Sequence, residues 1–205
     1  MASQTFKSSL LEGVVKEAIA FFEQTPVHDM PPQVSIAGLG VYAIYYTGAL
    51  EHYEHLGRLN SKQCAIPIYI GKAVPAGWRK GRAASGDSSK SVIGRLREHA
   101  GSIRAASNLN TRDFRTRFVV LEGIEADLIT SVEAQLIRKY QPMWNTLVDG
   151  FGNHTPGEGR FDQARSEWDV LHPGRGWAAK CRGESPKLEN ILAKIESHKR
   201  SLSLP

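Results

Sequence analysis

The chain has 205 residues, 41% of them hydrophobic and 23% charged, a balance that fits one globular domain with extensions and excludes a fibrous or disordered chain. No apolar run approaches the ~20 residues of a membrane span, and Met1 to Ser9 lacks the apolar centre of a secretory signal. The two cysteines, Cys64 and Cys181, make neither a disulfide framework nor a zinc pattern, so a cytoplasmic protein without membrane contact is expected.

The net charge is +5, held unevenly: residues 72 to 117 carry eleven Lys and Arg against Asp87, Glu98 and Asp113, a local +8 against −3 for the rest. Such clustering focuses positive potential on one surface and points to a polyanion, nucleic acid first. The alternative is an ordinary solvated basic face.

In chain order, Leu10, Leu11, Val14, Val15, Ala18, Ile19 and Phe22 recur at helical spacing after Ser8-Ser9, with Glu12 placed for a capping box on Ser9. This predicts an amphipathic helical arm over 8–25, packed on the core or on a second subunit. Residues 26–32 read as a turn-rich connector. Gly40-Val-Tyr-Ala-Ile-Tyr-Tyr-Thr47 and Pro67-Ile-Tyr-Ile-Gly-Lys-Ala73 read as strands, rich in β-branched and aromatic residues and bracketed by Gly and Pro. Tyr42 and Tyr69 lie in them, where a tyrosine is ordinarily a packing residue. The link 48–66 is too long for a hairpin loop and holds a short helix, a recognition loop or a dimer contact. Its His52 and His55 lack metal-binding company.

Residues 73–90, with Trp78, Arg79, Lys80 and Arg82 among Gly and Ser, read as a surface loop of the kind that contacts DNA. Ser91 then caps a helix with the stripe Ile93, Leu96, Ala100 and Ile103, and Arg95 and His99, four apart, stack beside it. Residues 117–122 read as a third strand and 127–140 as a helix that Pro142 stops. Glu133 falls inside the apolar stripe of that helix, where a carboxylate needs a metal or a cationic partner. The ordinary explanation is a salt bridge to an arginine. Beyond Val148 come a glycine-rich loop (149–159) that follows no phosphate-binding pattern, two tryptophans, and a charged helix from Pro186 to about Ser201.

Gly40-Val41-Tyr42 followed by Tyr69-Ile70-Gly71 resembles the signature of the GIY-YIG nuclease superfamily, with Val for Ile. The order of strand, strand, helix with Arg and His, strand, helix with Glu, then Asn extends the resemblance over roughly 40–145. The runs Gly71-Lys-Ala-Val-Pro-Ala-Gly-Trp78, Trp144-Asn-Thr-Leu-Val-Asp-Gly-Phe-Gly-Asn-His-Thr-Pro-Gly157 and Trp168-Asp-Val-Leu-His-Pro-Gly-Arg175 look like one branch, the type II restriction endonucleases cutting CCGCGG. The resemblance implies an α+β fold, a small antiparallel sheet of about three strands flanked by helices. It implies one nuclease domain, with its core at 40–145, an N-terminal helical arm and a C-terminal extension over 146–205.

It also implies catalytic roles for Tyr42, Tyr69, Arg95, His99, Glu133 and Asn145. Phosphodiester hydrolysis needs an activated water and stabilisation of the charge that develops at phosphorus. With Glu133 the one strong carboxylate of the core, one Mg²⁺ per site is expected rather than a two-metal clamp. A side chain must then take the proton: Tyr42 as general base assisted by His99, with a metal, an arginine or the histidine lowering its pKa from about 10. Tyr69 would position water or phosphate, Arg95 would neutralise the scissile phosphate, and Asn145 would bind phosphate or orient the site. Double-stranded DNA and a homodimer are the expected partners, because two-fold DNA is matched by a two-fold protein. Candidate DNA contacts are Lys72, Arg79, Lys80, Arg82, Arg104, Arg115, His154 and Arg175. The rivals are a homing or repair-type nuclease, a catalytically silent DNA-binding protein and a basic RNA-binding module.

Overall fold

The computed structural model describes residues 5, 7–74, 91–157 and 159–202. The basic run with Trp78, Arg79, Lys80 and Arg82 lies outside the described residues.

Helix α1 (Ser9–Gln24) opens with Ser8, one residue before the expected cap, whose hydroxyl accepts from the Leu11 amide at 3.3 Å. Then follow β1 (His28–Asp29), β2 (Gly40–Tyr46), α2 (Glu54–Leu59), β3 (Tyr69–Ala73), α3 (Val92–Ala105), β4 (Phe114–Val120), α4 (Ile129–Tyr140), α5 (Met143–Thr146), α6 (Glu167–Leu171) and α7 (Leu188–Leu202). The fold is α+β, an antiparallel sheet of order β1-β4-β2-β3 between helices. It has four strands rather than about three: β1 pairs only His28 and Asp29 with Arg115 and Thr116, too few residues to leave a periodic trace in the connector. β4 begins at Phe114, three residues earlier than expected, because Arg115 and Arg117 alternate with buried Phe114, Thr116 and Phe118. The expected helix over 127–140 is a 3₁₀ turn, Gly123–Leu128, running into α4.

All seven residues of β2 are buried, since strands flank it and both its faces are covered. Val41, Ala43 and Tyr45 meet α1 and α4 through Val15, Phe22, Val132 and Leu136. Tyr42, Ile44 and Tyr46 belong to the opposite core, with Leu96 and Ile103 of α3 and Trp144, Phe151, Trp168, Ile191 and Ile195 from the C-terminal third. The segment after residue 146 therefore contributes Val148, Phe151, Trp168, Leu171, Ile191 and Ile195 to the same core as the sheet. The outer face of α1 leaves Leu10, Val14 and Phe21 exposed.

The signature glycines have a packing cause. A Cβ on Gly40 would overlap the Val119 carbonyl, and one on Gly71 would sit 2.5 Å from the Tyr42 hydroxyl, in register across the strands. Glycine in mid-strand is unfavourable on its own and is found where another group approaches this closely. Among the described residues no helix is long and apolar enough to cross a membrane.

Candidate active site

Tyr42 at the centre of β2 and His99 on α3 meet across the face that carries Leu96. Their side chains share a hydrogen bond of 2.7 Å between the Tyr42 hydroxyl and His99 Nε2, with both residues buried. Burial holds the His99 imidazole neutral, its pKa pushed down to about 3, and the charges of Arg95, His154 and Arg175 push the same way. A neutral ring that accepts through Nε2 carries its proton on Nδ1. Burial also raises the Tyr42 phenol well above its ordinary value, with Tyr69 adding to the rise and Arg95 opposing it. Arg95 thus acts in the expected direction on the phenol, but burial outweighs it, and in the bond to His99 the Tyr42 hydroxyl is the donor.

Tyr69 on β3 packs edge-on to His99 with ring centroids 5.1 Å apart. Its phenol is pushed up to about 12 by burial and by the negative charge of Glu133. Arg95, a turn before His99, is half-buried, with Nη1 donating to Glu98 Oε2 at 2.5 Å and to His154 Nε2 at 2.9 Å. Glu133 on α4 approaches from the other side of the sheet's edge and pairs with Lys72 Nζ at 2.5 Å. The cation beside it is thus a lysine of β3 rather than an arginine.

Asn145 brackets the backbone of Ile70: Oδ1 accepts its N–H and Nδ2 donates to its C=O, each at 2.8 Å. Its amide is engaged in holding β3, the strand of Tyr69, Gly71 and Lys72. Of the two roles expected for Asn145, this geometry fits orientation rather than phosphate binding.

The DNA-contact candidates separate. Lys72 adjoins Glu133 and His154 adjoins Arg95, whereas Arg104 is exposed at the end of α3. Arg115 is in register with Tyr45, on the face opposite Tyr42, and pairs with Asp29 at 3.4 Å. Arg175 does not fit the expectation: it is buried, 4% exposed, with its guanidinium bonded inside the protein, and has no free edge to offer a base.

Two residues of the site have no counterpart in the sequence reading. Phe151 stacks on His99 at 4.6 Å and edge-on to Tyr69 at 4.9 Å. Gly152 passes over Tyr69 so closely that a Cβ there would lie 2.8 Å from its hydroxyl. The one available signal was the glycine pair flanking Phe151.

A Mg²⁺ ion takes six oxygens, keeps several waters and uses one or two carboxylates plus phosphate oxygens. Glu133 fits this demand, since it is a partly buried hard donor whose charge is felt at both Tyr42 and Tyr69. Among the described residues no group of three or more His, Cys, Asp or Glu gathers to enclose an ion. Any ion at Glu133 would therefore be completed by water and substrate.

A central antiparallel strand with Tyr42, a neighbouring strand with Tyr69, a helix with Arg95 and His99, and a second helix with Glu133 define a GIY-YIG nuclease domain. Residues 34–199 match the family model described as Eco29kI GIY-YIG domain, and the chain belongs to that restriction-endonuclease family. No curated protein matches the chain.

Proposed function

We propose that the chain is a type II restriction endonuclease that hydrolyses double-stranded DNA at a palindromic GC-rich site, CCGCGG, in a Mg²⁺-dependent reaction. The observation that carries this reading is the 2.7 Å bond between Tyr42 and a neutral His99, beside Arg95 and within the field of Glu133. The phenol itself is too weak an acid to be ionised at neutral pH, so His99 is the group with a lone pair ready for a proton.

As a water oxygen forms its bond to phosphorus, its proton passes to the Tyr42 oxygen while the Tyr42 proton moves to His99 Nε2. The bond from phosphorus to the leaving ester oxygen breaks, and that oxygen takes a proton from solvent. The reset runs the other way along the same bond: the His99 Nε2 proton goes back to the Tyr42 oxygen as the Tyr42 hydroxyl gives its proton to solvent at the phosphate side, which restores the pair. Arg95 lies one turn from His99 and donates to the negative charge that builds on the phosphate oxygens, a charge-assisted contact stronger than a neutral one. Lys72 adds a second cation from the Glu133 side of the sheet's edge. Mg²⁺, when bound at Glu133, supplies further neutralisation of the phosphate and holds water near it. Asn145 keeps Tyr69 and Lys72 in place through β3.

One such site cuts one strand, so cleavage of a palindrome requires two copies related by the two-fold of the DNA. Guanine-rich recognition requires Arg or Lys on O6 and N7 in the major groove.

The test is digestion of a long DNA of known sequence with purified protein and Mg²⁺, with an EDTA control. Discrete fragments ending at CCGCGG in the Mg²⁺ lane alone are expected. Discrete fragments at another palindrome would overturn the site but keep the class. Nicks or cuts at branched DNA would replace it with a repair-type nuclease, and intact DNA that is nonetheless retarded in a gel would leave a silent binder.

A further inference from the structure

The buried ion pair of Arg175 and Asp169 lies in the C-terminal third, outside the residues that resemblance assigns to catalysis. Arg175 has five N–H donors, and all five are engaged. Nε and Nη2 meet the two Asp169 carboxylate oxygens at 2.7 Å each, Nη2 also donates to the Gly150 carbonyl at 2.9 Å, and Nη1 donates to those of Phe151 and Asn153 at 3.1 Å. The guanidinium packs over the indoles of Trp168 and Trp177 at 4.6 and 4.7 Å. Asp169 is fixed in turn by the Ser166 hydroxyl at 2.7 Å, at the start of α6.

Three carbonyls from four consecutive residues converge on one planar cation. A loop in that conformation is set by the fork, and a lysine ammonium with three donors cannot reproduce it. The same loop is registered at two further points. Gly150 has φ +100°, and a Cβ there would collide with Ser166; Gly152 leaves room for the Tyr69 hydroxyl. Between and after these points the loop delivers Phe151 onto His99 and His154 onto Arg95.

We propose that Arg175, framed by Asp169, is a positioning residue of the active site: it sets the loop of residues 150–154 so that Phe151 seals the Tyr42–His99 pair and His154 holds the Arg95 guanidinium toward the phosphate. This rests on the nuclease reading above. The C-terminal segment then completes the site, and the wall that keeps His99 dry is built by residues more than fifty positions away in sequence.

The discriminating variants are Arg175→Lys, Phe151→Leu and the exposed His154→Ala. Each is compared with the native protein for thermal unfolding, DNA affinity, single-turnover cleavage at saturating DNA, and NMR titration of the His99 ring. The charged and titratable groups facing that ring are Tyr42 from β2, Tyr69 from β3, Arg95 from its own helix, and His154 and Arg175 from the C-terminal side. In Arg175→Lys, DNA affinity is expected to stay within about threefold while cleavage falls about 100-fold, the scale of a misplaced catalytic group. The His99 titration is expected to rise from about 3 toward the ordinary ~6.5 as water reaches the ring. Phe151→Leu is expected to move the titration the same way. His154→Ala is expected to keep the native melting temperature and lose about tenfold in cleavage through the freed Arg95.

A purely structural clamp would lower the melting temperature of Arg175→Lys and leave both the cleavage rate of the folded protein and the His99 titration as in the native chain. That result overturns the proposal. Should Arg175→Lys fail to fold, native rates and an unmoved His99 in both Phe151→Leu and His154→Ala overturn it equally. The titration needs neither DNA nor metal, so it reads the loop's placement even if the native protein cuts nothing.

Discussion

Among the described residues, two buried tyrosine–histidine pairs share the same bond. Tyr42 meets His99 Nε2 at 2.7 Å, and Tyr53 meets His172 Nε2 at 2.7 Å. Burial pushes both imidazoles down to about 3 and raises both phenols. Their surroundings differ. The Tyr53 oxygen also accepts from the Trp144 indole at 3.0 Å, and His172 Nδ1 pairs with Asn108 Oδ1 at 2.9 Å, so the network closes on itself among aromatic rings. Around Tyr42 and His99 stand Arg95, Glu133, Tyr69 and, through Arg95, His154. A Tyr–His bond is therefore not a catalytic feature in itself. In the mechanism proposed above, ionic neighbours that a substrate phosphate can join make one pair reactive, whereas a closed network makes the other a bolt between the 48–66 link and the C-terminal segment.

The sharpest way to break this comparison is the same substitution at both tyrosines. Tyr42→Phe is expected to lower single-turnover cleavage about a thousandfold, the scale of a lost proton acceptor, with DNA affinity kept. Tyr53→Phe leaves His172 Nε2 and the Trp144 N–H without their partner. It is expected to cost about 1–3 kcal/mol in chemical denaturation while the folded protein cleaves at the native rate. Equal losses of cleavage in both variants would erase the distinction.

Glu133→Gln tests the ionic surroundings of the first pair alone. It is expected to abolish Mg²⁺-dependent cleavage while unfolding stays near native, since the amide still accepts from Lys72. Cleavage that continues undiminished with Mg²⁺ would remove the carboxylate from the mechanism.

Acid treats the two pairs alike. Each histidine has a folded pKa below its unfolded value of ~6.5, so the stability it contributes is complete above that pH and is lost as the pH falls toward 3. Denaturation midpoints measured across that window are expected to fall with a slope on the order of 1 kcal/mol per pH unit for each ring. His172→Asn is expected to flatten it by one histidine's share. The smallest effect belongs to a charge remote from both pairs: Arg58→Ala, which breaks an exposed helical pair with Glu54, is expected to cost about 0.3–0.5 kcal/mol and leave cleavage unchanged.

The order of elements around the site was legible because each leaves a local trace: aromatic and β-branched runs for β2 and β3, and a 3.6-residue stripe for α3, whose Ile93, Leu96, Ala100 and Ile103 are all buried. The Arg95–His99 spacing put two polar groups on one helical face, and Glu133 stood out as a carboxylate in an apolar stripe. What was hidden had no local trace. Two-residue β1 is too short for a pattern, arginines masked the start of β4, and Arg175 read as a DNA-contacting cation because a lone arginine in the sequence says nothing of the Asp169 carboxylate and three carbonyls waiting inside.

The sequence by itself determined the α+β order, the glycines at which strands and side chains close up, and which residue types could carry phosphoryl chemistry, since these follow from backbone sterics and side-chain period. Only the tertiary structure decided which tyrosine meets which histidine, that Glu133 pairs with Lys72, that Asn145 grips β3, and that the C-terminal third walls the site. Those are contacts between residues far apart in the chain, fixed by how the layers pack, and a linear pattern holds no distance between its ends.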